Sequence, residues 1–263
     1  MNSNQPFNQS TNQLAHQSTN QLINQTLHLA DTALILGQRI SEWCAHGPIL
    51  EQDIAITNIT LDLIGQSRNF YQYAARLINS VENKNLTEDD LAYLRNERDF
   101  KNLLLCELPN GNWAQTVLRQ FLFSVYQELL FEKLIACSDE QLSAIAAKSI
   151  KETKYHVKWS SEWVIRLGDG TDESKEKMEK AIDELWMYTG EFFIANDYDI
   201  IDMASSKSKW LEKVKEIFEE ATLSIPENTF MQSGGKNGIH TEYLGFLLSE
   251  MQVLQRTYPG ANW

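Results

Sequence analysis

Residues 112–167 read NWAQTVLRQFLFSVYQELLFEKLIACSDEQLSAIAAKSIKETKYHVKWSSEWVIRL, a stretch bounded by Gly111 and Gly168 that holds neither glycine nor proline. Apolar residues recur through it at steps of three and four, the period of a helix with one buried face. Strands would need far more frequent turn residues. One interruption stands near Ser138, where Ser138 and Gln141 have the spacing of a capping box. The stretch therefore predicts two helices, 112–136 and 139–167, folded back as a hairpin. Outward from it, the chain between Gly65 and Pro109 is equally free of breakers. Further helices are predicted over 22–45, 51–80, 87–106, 173–196, 208–222 and 241–257. Gly47-Pro48 and Pro109-Asn110-Gly111 separate them, and Thr87 before Glu88, Asp89 and Asp90 places negative charge at a helix start.

Two long hairpins, 22–80 and 112–167, joined by a crossover carrying the 87–106 helix, give an all-α fold: a ferritin-like helical bundle with additional crossover and C-terminal helices. Residues 22–263 form one such domain. Ahead of it, NQSTNQLA and HQSTNQLI repeat a polar phrase that buries almost nothing. Residues 1–21 are read as a low-complexity, disordered tail, the alternative being a polar extension of the first helix. With 23 Lys+Arg against 36 Asp+Glu, a net charge of −13 over 263 residues argues against long-range attraction to nucleic acid or an anionic membrane. No apolar run is long enough to span a bilayer and no signal peptide is recognisable. Cys44, Cys106 and Cys137 are widely spaced and odd in number, which suits reduced thiols and a cytoplasmic protein.

In a ferritin-like di-iron protein, two helices each supply a Glu and two supply Glu-x-x-His, all pointing inward. The corresponding positions are found here by reflecting each helix through its turn. On 139–167 the inward face runs through Leu142, Ile145, Ser149, Thr153, His156, Ser160, Trp163 and Leu167. Thr153 and His156 have the three-residue step, with Thr where Glu is needed. Reflection through Ser138 lands on Phe121 to Ser124, flanked by Gln120 and Gln127. On 51–80 the matching pair is Asp62 and Gly65, and reflection through Gly47 brings Asp31 opposite Asp62. The degenerate set is then Asp31, Asp62, Gly65, Thr153 and His156, too few ligands for two irons, so no metal is expected. His156 reads as a core histidine hydrogen-bonded to Asp62 or Asp31. The alternative is a mononuclear site in which Asp31, Asp62 and His156 form a variant of the 2-His-1-carboxylate triad of a non-haem iron oxygenase.

Several stretches carry a family resemblance: LGQRISEWCAHGP, LDLIGQSRNF, RNERDFKNLLLCELPNGNWAQT, KSIKETKYH, RLGDGTDES and GGKNGIHTEYLGFLLSEMQVLQRTYPGANW. From about Leu22 to Trp263 the chain resembles the C subunits of ring 1,2-phenylacetyl-CoA epoxidases, multicomponent monooxygenases of phenylacetate catabolism. The longer Asn/Gln-rich N-terminus is a departure from that family. The resemblance implies a non-catalytic structural subunit, with no catalytic residue of its own. It would stabilise a homologous catalytic A subunit that holds the di-iron centre. Electrons would come from NADPH through a reductase subunit. Phenylacetyl-CoA would bind at or near the interface between the two ferritin-like subunits, with Asp99, Phe100, Lys101 and Asn102 at the CoA-thioester site.

An acidic chain must gather cations locally to meet CoA phosphates. Arg95, Arg98 and Lys101 are one cluster, with a solvated helix neutralised by Glu97 and Asp99 as the plainer reading. Lys148, Lys151, Lys154 and Lys158 form a second, a stripe within about 120° of helix surface at about 100° per residue. It is either an ordinary wet face or a contact surface for an acidic partner subunit. The loop Ser233-Gly234-Gly235-Lys236-Asn237-Gly238 lacks P-loop spacing and is read as a tight turn that positions the C-terminal helix. Trp186, Tyr188, Phe192 and Phe193 are expected in the core or an interface.

Overall fold

The computed structural model describes the backbone of residues 6–261 and side chains from residue 17 onward. Ten α-helices carry the described chain: α1 (Pro6–Ser41), α2 (Leu50–Glu82), α3 (Glu88–Tyr93), α4 (Leu104–Glu107), α5 (Trp113–Ile135), α6 (Glu140–Gly168), α7 (Asp172–Leu185), α8 (Lys207–Glu220), α9 (Glu242–Met251) and α10 (Val253–Thr257). Among the described residues there is no strand. The hairpins α1–α2 and α5–α6 pack together with α2 against α6, the arrangement of a ferritin-like helical bundle. The other helices cover this core: α3 on α2, α4 on α1, and α7 and α8 on the α5–α6 hairpin.

Burial explains the order of the layers. α5 is covered on nearly every side, with Val117, Leu118, Phe121, Leu122 and Leu134 inaccessible, and each such side chain contributes about 1.5–3 kcal/mol on leaving water. The part of α1 from Gln25 to Gly37 is equally enclosed, with Ala30, Ile35 and Leu36 inaccessible. α2 and α6, by contrast, keep one face each toward solvent. At one end of the bundle Trp43, Trp113, Trp159 and Trp163 meet edge to face. Gln52 Oε1 accepts from both Trp159 Nε1 at 3.0 Å and Trp163 Nε1 at 2.7 Å.

Several boundaries depart from the periodicity. α1 starts at Pro6, so the backbone of 6–21 is continuous with the first helix; residues 1–5 lie outside the described residues. The cap of α6 is Asp139, whose carboxylate accepts from Leu142 N at 2.8 Å, and not Ser138. Thr87 does cap α3, in a reciprocal box with Asp90. The single helix expected over 87–106 is two short helices separated by a 3-10 turn at Glu97–Asp99 and an extended strap. Likewise the helix expected over 173–196 stops at Leu185 and continues as 3-10 turns, burying Trp186, Phe192 and Phe193 and half-burying Tyr188. The C-terminal helix divides at Gln252 into α9 and α10.

Candidate functional site

The centre of the bundle is where α2, α5 and α6 turn polar side chains inward. Gln66, Gln120, Ser124, Gln127, Ser149, Thr153, His156 and Ser160 are all buried there. Three of them form a chain that ends on Glu152. Thr153 Oγ1 lies 3.3 Å from Gln127 Oε1 and 3.1 Å from Ser149 O, Gln127 Nε2 donates to Gln66 Oε1 at 3.1 Å, and Gln66 Nε2 donates to Glu152 Oε2 at 3.0 Å. Amides carry both donor and acceptor, so the two glutamines pass the bond along from one helix to the next. Its carboxylate, Glu152, lies at the half-buried edge. Ligand spacing singles out neither Gln66 nor Glu152, although Gln66 directly follows the Asp62–Gly65 pair.

His156 is buried completely, and its Nε2 lies 3.0 Å from Asp62 Oδ2. A carboxylate only accepts, so Nε2 is the donor of this bond, and Nδ1 has no hydrogen-bond partner. This is the core histidine bonded to Asp62. Asp31 is not part of it. Its carboxylate is taken up elsewhere, by Tyr71 Oη of α2, both terminal nitrogens of Arg95 and the Lys101 amide at 2.8 Å. The Asp31/Asp62/His156 triad is therefore corrected: Asp31 belongs to another layer. Ser67 Oγ reaches Ala30 O, and a Cβ on Gly37 would touch Leu63. The turn thus centres beyond Gly47, and Asp62 sits about one helical turn nearer to it than Asp31. The second hairpin shows the same offset, since Thr153 meets Gln127 rather than the Phe121–Ser124 stretch. Gly65 is exposed on α2's outer side and offers no slot at all.

Among the described residues no group of three or more His, Cys, Asp or Glu side chains is placed to share a metal ion. Two iron ions in a bundle of this kind are neutralised by a cage of carboxylates. Neutral amides, a hydroxyl and one His–Asp pair do not fit that requirement.

The strap from Arg95 to Leu104 lies across α1. Of its four residues expected at a CoA-thioester site, Phe100 and Asn102 are fully buried, Asp99 is exposed and Lys101 is half-buried. Phe100 lies under the Arg95 guanidinium, 4.3 Å away. Asn102 Nδ2 donates to Glu107 Oε2 at 2.8 Å. Asp99 Oδ2 accepts from Asn96 N. Phe100 and Asn102 thus anchor the strap, while Lys101, 5.2 Å above the Tyr198 ring, and exposed Arg98 are its accessible cations. Arg95 is committed to Asp31.

Two buried carboxylates that the spacing does not reveal tie the C-terminal segment to this strap. Glu191 accepts from Leu104 N, Gly234 N and Gly235 N at 2.7–2.8 Å. The glycine loop does hold an anion, and the anion is the chain's own. Gly234, at φ 145°, and Gly238, at φ 74°, adopt conformations open to glycine. Glu107 accepts from Thr241 N and from His240 Nδ1 at 2.9 Å, while His240 Nε2 meets Phe100 O at 2.9 Å. Both ring nitrogens face acceptors, so the imidazolium is the satisfied form. Burial opposes the charge, but the Glu107 hydrogen bond and charge outweigh it and hold the His240 pKa above its ordinary value. His28 is the opposite case. Burial, then the charge of Lys236, lowers its pKa to about 3.

Lys148, Lys151, Lys154 and Lys158 are exposed along α6 and none forms an ion pair with a described residue.

Fold and slots together define a ferritin-like bundle whose central positions carry amides and one His–Asp pair in place of a carboxylate cage. The family described as phenylacetic acid catabolic protein matches residues 1–263, and the chain belongs to that family. It is 47% identical over 246 residues, covering 90% of this chain and 97% of the relative, to the C subunit of the 1,2-phenylacetyl-CoA epoxidase of Escherichia coli (strain K12). The family resemblance drawn from the sequence motifs therefore holds. No helix among the described residues is long and apolar enough to cross a membrane.

Proposed function

We propose that this chain is the non-catalytic, supporting subunit of a multicomponent di-iron monooxygenase that epoxidises the ring of phenylacetyl-CoA in phenylacetate catabolism. The observation that carries the reading is the Thr153–Gln127–Gln66–Glu152 chain, which fills the bundle centre with a hydroxyl and two amides and has its one carboxylate at the edge. In this reading the chain binds no cofactor. Iron resides in the catalytic A subunit, NADPH acts through the reductase subunit, and no redox step passes through this chain's residues. Its contribution is structural: a rigid bundle that holds the catalytic subunit and borders its substrate. Lys101 and Arg98 are the groups of the strap able to meet CoA phosphates, and the α6 lysines are a contact surface for an acidic partner.

The experiment is purification of the chain alone and with the catalytic subunit, with iron counted per chain and epoxidation assayed. Iron that follows only the catalytic subunit, and activity that needs both chains, are the expected results. Stoichiometric iron in the isolated chain, or epoxidation by it alone, would sink the reading.

A further inference from the structure

The outward face of α2 exposes Leu50 (72%), Ile54 (53%) and Leu61 (63%). Between Gln52 and Ser67, the fully exposed residues of α2 are Ile54, Asn58, Leu61 and Gly65, spaced four, three and four apart. These fall on one stripe, and none is charged, on a protein of net charge −13; exposed Glu51 and Arg68 stand at its two ends. Alongside lies α6, joined to α2 by Asp62–His156 and Gln66–Glu152. It borders the stripe with exposed Tyr155 and with Lys148, Lys151 and Lys158. Lys154 lies round the helix, toward Glu128.

Gly65 is the informative position. It lies mid-helix and exposed, and a Cβ built on it would meet nothing within 4 Å. Nothing inside this chain requires glycine there, and glycine is the poorest helix former after proline. A helix surface without a Cβ lets another backbone approach closely. The charges describe what approaches. The lysines have no carboxylate of their own, since Glu152 is held by Gln66 and Asp62 by His156. A second copy would therefore present lysines to lysines.

We propose that the α2 stripe from Leu50 to Gly65, with the Lys148–Lys151–Lys158 ridge of α6, seats a helix of the partner subunit. That helix would be apolar along its contact line and acidic on its flank, crossing closest at Gly65. The proposal rests on the supporting-subunit reading and adds which face docks.

The test uses the full chain with the catalytic subunit, measuring the dissociation constant as a function of salt. Leu61→Asp and Gly65→Leu should each weaken binding at least tenfold, and Lys151→Glu/Lys158→Glu should weaken it and flatten its salt dependence. Leu211→Asp, on the exposed side of α8, should not. Gly65→Ala should raise the melting temperature of the isolated chain, showing that the fold itself does not need glycine there. Undiminished binding by Leu61→Asp and Gly65→Leu overturns the docking face and leaves the supporting role standing. A wild-type dimer of this chain that Leu61→Asp dissolves overturns it in favour of a second copy. No binding by the wild type overturns the supporting role itself.

Discussion

Asp31 shows how far one side chain's position governs its meaning. By sequence it lies on a core face, level with a slot that a metal protein would fill. In the fold it is the buried counter-charge of Arg95 and an anchor for the Lys101 amide. Removing one partner of a buried pair strands the other, at about 3–5 kcal/mol. Asp31→Ala should accordingly lower the unfolding free energy measured in urea by about that amount, and a loss within about 0.5 kcal/mol would mean the pair is not holding the strap. His240 carries a pH signature of known sign. Its folded pKa lies above the unfolded value near 6.5, so its stabilisation is complete below that value. It is lost as pH rises through the raised one. The melting-temperature gap between wild type and His240→Gln should be widest near about pH 6 and narrow toward about pH 9. A gap that stays constant would remove the imidazolium from the argument. His28, depressed to about 3, acts in the opposite direction, with stability present above about 6.5 and eroding as pH falls toward its folded value.

At the scale of elements, the long helices were legible because their periodicity is reinforced by burial. The crossover was not, because other elements claim its backbone. Lys101 N goes to Asp31, Leu103 N lies 3.4 Å from Thr32 Oγ1, and Leu104 N goes to Glu191. An amide committed to a distant side chain cannot close an i to i−4 bond. The partners lie about 70 to 87 residues away in sequence, beyond the reach of any local pattern. Where no such competitor exists the local signal wins, as at Thr87. Its Oγ1 accepts from Asp90 N while Asp90 returns a bond to Thr87 N. Thr87→Ala should cost about 1 kcal/mol in chemical denaturation, and an unchanged midpoint would show that α3 is held by packing on α2 alone. Gly65 obeys neither logic: the helix tolerates it and the fold does not use it, which is why it points outside the chain.

On the scale of the whole molecule, the bundle's centre is a cluster of amides, hydroxyls and one His–Asp pair, in which Gln120 Oε1, Ser149 Oγ and His156 Nδ1 have no hydrogen-bond partner. Thr153→Glu restores the spacing of a Glu-x-x-His pair but places a second carboxylate beside Glu152 and breaks the bond to Gln127. The variant should melt well below wild type, by several kcal/mol, and added ferrous iron should leave its melting temperature unmoved. Stabilisation by iron would show that the slots retain the geometry of a cage. The sequence by itself determined the long helices, their hairpin order and the scarcity of carboxylates at the slot positions, because periodicity and residue type are local properties. It also read His156 as a core histidine bonded to Asp62 or Asp31, and the fold selects Asp62. Only the tertiary structure decided the register, since a turn's true centre moves every facing pair by a helical turn. The same is true of the neighbours of Asp31, Glu107, Glu191 and His240, whose charges are balanced by groups far along the chain.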